Sequence, residues 1–370
     1  VTGQNAFDFD DDVRYALRRL ARAHRRYGER SDLNELAEAI YAESEDNYEV
    51  RAGQTWLARQ QVEKRLGQDF EDVFSTFDIV VGVSGSALRH LEDSKRQQDT
   101  VPESVAYAIA LLQVRALRVS HEVCALLRAG FASGAGGRWR TLYEVYITAA
   151  VLAHGNQHTC TRFNEHRWIM LARDHRRVPE PDWSEGPTPE QVRHRLVARF
   201  GPRYDSTYGW AAELTNRRIN VVQPNFGDLE RLAMMKIPRR RGVTAEENIN
   251  FDSAYRTRVL RAHHRVHADS LGILDLIDGT GQLHSGVLRR GIAGVAYETV
   301  HILGECMRAL THLYVRHAPE SSEAIAAAAL VDEGFMTSER HLLGRAVQRG
   351  DIDRESYFRA TTASVSSDAR

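Results

Sequence analysis

Two histidines one helical turn apart, His263 and His267, sit in the Arg-rich run YRTRVLRAHHRVHADSLG from Tyr255 to Gly272. At 100° per residue, Tyr255, Val259, Ala262, Val266 and Ile273 share one face, while Arg256, His263, His267 and Ser270 line up on the next. A neutral imidazole takes a proton near pH 7, an imidazolium returns it, and a fixed guanidinium stabilises charge on a transferring phosphate. RNA cleavage by its own 2′-hydroxyl needs those parts and no metal. Two other readings compete. The histidines at i and i+4 have the spacing of a zinc or iron pair, although the glutamate of an H-E-x-x-H motif is missing and Arg256 and Arg265 oppose a cation. Alternatively, the segment is a polar helix face satisfied by carboxylates of a neighbour.

A second candidate is RWRTLYE, Arg138 to Glu144, where charges of both signs interrupt an otherwise apolar helix. Arg140 and Glu144 are one turn apart and predict an ion pair, whereas Arg138 projects towards another helix or an anionic ligand. The bland reading is a salt bridge that fixes helix register. Trp210, in the YGWA sequence from Tyr208 to Ala211, has the ring to stack on a base or to anchor a helix boundary. The basic run Lys236 to Arg241 is a phosphate grip or a solvated loop. Gly134 to Gly137 lack the Lys and Ser/Thr of a phosphate loop, and nothing supports a serine or cysteine triad. His284, His301, His312 and His317 read as surface or capping residues.

Helices must position these groups. Apolar residues recur at three and four rather than at two, and only 9 prolines interrupt the chain, so the expected fold is all-α, a multi-helix bundle with an N-terminal helical appendage. The appendage covers residues 1–100, with a stretch from Thr55 to Glu92 broken near Gly67 and around Gly82 to Gly85. A central bundle spans 101–318. Its helices start at Pro102 and stop at Gly130, resume after Gly137, run near Arg162 to Arg173, then from Ala245 to Asp275 and from Gly291 to Arg316. The tail, 319–370, is expected to hold an Ala-rich helix, a short helix near His341 and a Ser/Thr-rich end.

Composition narrows the function classes. With 49 basic and 50 acidic residues and a net charge of -1, the chain is no general nucleic-acid coat, while a local basic cleft remains compatible. Three cysteines without a C-x-x-C pair fit neither a disulfide scaffold nor a zinc module, and are expected in the core. No run reaches the length of a membrane span and no apolar leader opens the chain, so a cytoplasmic location is expected.

The segments GRWRTLYE, YGWA and VHADSLG together resemble the bacterial family known as domain of unknown function 5677, over about Pro102 to Arg316. That resemblance implies a helical bundle and a prokaryotic setting without an assigned activity. The late helix is also similar to ribonucleases of the HEPN (higher eukaryotes and prokaryotes nucleotide-binding) class, which carry an Arg followed within two turns by a His. Arg261 to His267, Arg258 to His263 and Arg258 to His264 meet that spacing. Arg115 to His121 meets it too, so clustering singles out the late segment. Ala262 follows Arg261 where that class often has a polar residue, which makes Arg256 the geometric substitute. The HEPN resemblance implies a homodimer that cuts RNA without a metal or other cofactor, in toxin or phage-defence systems. His267 would be the general acid or base, His263 its partner, Arg256 or Arg261 the phosphate stabiliser, with Glu144 and Arg138 orienting the site. The alternative expectation is a non-enzymatic helical sensor or scaffold acting with a regulatory protein partner.

Overall fold

The computed structural model describes residues 48–98, 101–177, 186–235, 289, 291–318 and 322–352. The segment carrying Arg256, Arg261, His263 and His267, the basic run at 236–241 and residues 1–47 lie outside the described residues. Within them the chain is helical and no strand is present.

Among the described residues ten α-helices follow in order: α1 (Tyr48–Asp69), α2 (Glu71–Gln98), α3 (Glu103–Arg128), α4 (Ala132–His154), α5 (Gln157–Arg177), α6 (Pro189–Phe200), α7 (Ala212–Ile219), α8 (Phe226–Ala233), α9 (Ile292–His317) and α10 (Ser322–Gln348). Short 3-10 turns at Pro202–Asp205 and Gly209–Ala211 join α6 to α7. Helices α3, α4 and α9 form the centre; α2 and α10 cover one side, and α5 to α8 the other.

One apolar core runs through α2, α3, α4, α9 and α10, from Phe70 and Phe77 through Leu127, Trp139 and Ile147 to Leu303 and Phe335, and extends to Ile169, Leu196 and Leu229 on the α5 to α8 side. It crosses both boundaries expected near residues 100 and 319, because the apolar stripes of α2 and α10 find their complement on α9 and on each other. Gly304 lets α9 and α10 close up: a Cβ there would sit 2.6 Å from the ring of Phe335.

Three helix boundaries differ from the expectation. α2 continues unbroken through Gly82 and Gly85, since Val80, Val81, Ser84 and Ala87 are buried around them and the burial outweighs the glycine penalty of about 1 kcal/mol each. α4 begins at Ala132 and absorbs Gly134 to Gly137; Ala135 and Gly136 are buried there, where small residues suit close approach. The Ala-rich helix and the one near His341 are a single helix, α10. Other termini follow the local signals. Gly130 stops α3 with φ 80°, and Thr188 and Asn225 close capping boxes on α6 and α8. The start of α9 is capped from afar: the Asp351 carboxylate accepts from the amides of Gly291, Ala293 and Gly294 at 2.7, 2.9 and 3.1 Å.

Candidate functional site

The described part of the candidate site begins on α4. Trp139, Leu142 and Tyr143 turn into the core, and the Trp139 indole N–H donates to the Glu298 carbonyl of α9 at 3.0 Å, which fixes the rotation of α4. That rotation leaves Arg138, Arg140 and Glu144 at the rim. The Arg138 guanidinium pairs with Glu122 of α3, and this contact, with Arg118 beside it, holds the Glu122 carboxyl below its ordinary range. Arg140 and Glu144 meet at 3.3 Å with side chains 32% and 46% exposed, a distance the one-turn spacing allows.

The YGWA segment comes to the same rim. Tyr208 is half-buried; burial raises its hydroxyl pKa, the Glu144 carboxylate adds to the rise and Arg140 opposes it, so the three groups share one electrostatic environment. The Phe226 ring lies between Tyr143 and Tyr208, at 6.4 and 6.3 Å from their centroids. Two segments more than sixty residues apart thus assemble an edge with one guanidinium, one carboxylate, one phenol and an aromatic floor.

α5 holds Tyr208 in place. The irregular backbone at 201–211 satisfies only some of its carbonyls internally, at Gly201, Arg203, Ser206 and Tyr208, and side chains of α5 supply further donors. Arg162, buried, donates to the carbonyls of Trp210 at 3.1 Å, Gly209 at 2.8 Å and Phe200 at 3.4 Å, and its guanidinium stacks over the rings of Phe200 and Tyr204. Burial lowers its pKa, while Glu213 partly offsets that cost. One turn on, His166 Nε2–H donates to the Ser206 carbonyl at 2.9 Å, and because a carbonyl only accepts, this nitrogen carries the proton. Burial pushes the imidazole down to about 4. Arg173 completes the row on the Asp205 carbonyl and the Thr207 hydroxyl, and Arg193 of α6 grips the Asp205 carboxylate with two nitrogens. Gly209 is required in this turn: a Cβ would lie 2.2 Å from the Tyr204 carbonyl oxygen.

Trp210, expected to stack on a base or anchor a helix boundary, is 5% exposed and packs edge-on against Phe163 at 5.2 Å, in the anchoring position. Its neighbour Tyr208, rather than Trp210, presents an aromatic ring at the Arg140–Glu144 rim.

His301, expected at the surface or at a helix cap, is instead largely buried in the middle of α9 among polar neighbours. His301 Nδ1 is 3.2 Å from Glu339 of α10, at ion-pair range without hydrogen-bond alignment, and Arg308 reaches both Glu305 and Glu339. The Tyr297 ring stacks on His301 at 6.1 Å. Tyr297, His301, Glu305 and Arg308 recur at four, four and three, a stripe legible as one helix face. His312 and His317 are partly buried, and burial lowers both pKa values.

The three cysteines are buried, as expected of core residues, and burial pushes Cys160 and Cys306 up to about 12. Among the described residues, no group of three or more His, Cys, Asp or Glu could hold a metal ion, and no helix is long and apolar enough to cross a membrane. No curated protein and no solved structure matches the chain. Residues 106–282 match the model of a family of unknown function (DUF5677), and the RWRTLYE and YGWA segments, linked through the Phe226 ring, both lie inside that match.

Proposed function

We propose that the chain is a metal-independent endoribonuclease of a bacterial toxin or phage-defence system, working as a homodimer. The observation that carries this reading is the convergence of Arg140, Glu144 and Tyr208 over Phe226. Single-stranded RNA is recognised by stacking on aromatic rings and by guanidinium contacts to bases and phosphate, and that rim offers both side-chain types in Tyr208 and Arg140. His267 acts as general acid or base with His263 as its partner, and Arg256 or Arg261 stabilises charge on the phosphate. Glu144 and Arg138 orient the site.

The test is incubation of wild type, His267→Ala and Arg140→Ala with total RNA in EDTA, with each fold checked by thermal melting. Wild type is expected to leave 2′,3′-cyclic phosphate ends. His267→Ala should lose activity by about 10² to 10⁴ at an unchanged melting temperature. Arg140→Ala should weaken RNA binding. No cleavage by wild type overturns the reading.

A second reading has its own support. Arg138 and Arg140 each have a carboxylate partner, and Arg162, His166 and Arg173 are engaged by backbone, as in a non-enzymatic scaffold acting with a protein partner. In that case Arg140→Ala changes stability by less than about 1 kcal/mol and no RNA is bound.

A further inference from the structure

The outward face of α3 carries an order of residues that is complementary to itself. Glu103, Tyr107, Leu111, Val114 and Arg118 are all exposed, and at 100° per residue they fall within an arc of about 80°. The three apolar members are 41%, 43% and 54% exposed, high for large side chains in successive turns of one helix. An acid stands at the N-terminal end of the stripe and a base at its C-terminal end. Arg118 touches Glu122 at 3.3 Å, yet its side chain stays 73% exposed, so it remains available to a further carboxylate.

α5 widens this face. The Asn164 amide donates to the Ser104 carbonyl at 2.8 Å and Arg167 to the Tyr107 hydroxyl at 2.9 Å, both across 60 residues, so α5 runs parallel to α3 in fixed register. The same offset puts Leu171 level with Leu111, and Leu171 and Met170 are exposed as well. Arg167 also lies against the Tyr107 ring at 5.9 Å, which holds that ring in one orientation before any partner arrives.

We infer that this face binds a second copy of the chain, with α3 packed antiparallel on its counterpart about a two-fold axis at Leu111. A two-fold interface requires each residue's partner to be present on the same surface. Reversing the stripe about Leu111 meets that condition at every position: Leu111 faces Leu111, Tyr107 faces Val114, and Glu103 faces Arg118. A parallel arrangement would set Glu103 against Glu103 and Arg118 against Arg118, which like-charge repulsion disfavours. The inference gives the homodimer of the proposed function a surface and uses none of that function's chemistry.

The full chain should sediment as a dimer. Leu111→Glu places two carboxylates on the axis and should yield a monomer with unchanged helical circular dichroism, since residue 111 lies outside the core. Glu103→Arg sets like charges together and should raise the dimer Kd by about tenfold, and adding Arg118→Glu should restore it. Leu111→Cys should be linked to its twin by a short bismaleimide, and the native Cys124, Cys160 and Cys306, being buried, should give no such product. A monomeric wild type, a dimer that survives Leu111→Glu, or a charge swap that fails to rescue Glu103→Arg overturns the inference. RNA cleavage scored on the same samples separates the two proposals: a wild-type dimer that does not cut RNA removes only the nuclease, and a monomer that cuts removes this surface and the homodimer but leaves the nuclease chemistry.

Discussion

The two sides of the molecule are stabilised by different means. On the side of α2, α3, α4, α9 and α10, long helices satisfy their own backbone, and what joins them is buried apolar surface around Trp139, Phe77 and Phe335. On the side of α5 to α8, the chain turns through two short 3-10 segments, and the exposed carbonyls recruit Arg162, His166 and Arg173. Irregular backbone therefore demands polar side chains in the interior, and those side chains make this side sensitive to charge and pH. The candidate rim lies where the two sides join, with Arg140 and Glu144 on α4 and Tyr208 in the loop that α5 holds.

The largest effect is expected on the apolar side. Trp139→Ala removes a fully buried ring and its bond to Glu298, and should cost about 3–5 kcal/mol in chemical denaturation, equally at pH 7 and pH 5. Arg162→Met should cost about 3 kcal/mol, because three carbonyls lose a charged donor, and should raise amide exchange within 201–211 while leaving α9 protected. Arg162→Lys should not rescue it, since one ammonium cannot reach three divergent carbonyls. Uniform exchange across both sides in Arg162→Met would erase the distinction.

The smallest effect is a pH dependence. The folded His166 titrates at about 4 and the unfolded one near 6.5, so the unfolded chain takes up the extra proton. Its contribution is fully present above pH 6.5 and is lost as pH falls towards 4, about 2 kcal/mol between pH 7 and pH 5. His154 on α4 and His312 and His317 on α9 are shifted the same way, so the apolar side adds to the fall through groups at its helix ends. Melting temperatures of wild type and His166→Gln at the two pH values should show a smaller drop in the variant. Equal drops would mean that His166 does not govern the acid sensitivity of this side.

Local chemistry made a large share of the architecture legible. The 3.6-residue periodicity predicted helices from Pro102 to Gly130, near Arg162 to Arg173 and from Gly291 to Arg316, found at 103–128, 157–177 and 292–317, and the one-turn spacing of Arg140 and Glu144 predicted their pair. These features depend on residues within a few turns of each other, which is the range over which helical geometry sets distances. Gly82 and Gly85 misled for the complementary reason: their local cost is about 1 kcal/mol each, and the burial that outweighs it comes from α3, α9 and α10. The roles of Tyr208 and Trp210 were equally out of reach, because in a sequence of four residues either aromatic can turn outward. The chain by itself determined that α3, α5 and α9 are helices, that Gly130 ends α3 and that Arg140 pairs with Glu144 one turn on. The tertiary structure alone decided that Arg162 and His166 hold the loop, that Asp351 caps α9, and that Phe226 joins the Tyr208 ring to Tyr143 of α4. Each of those contacts joins groups far apart in the chain, and helix packing selects such pairs by shape and burial, which leave no spacing to read.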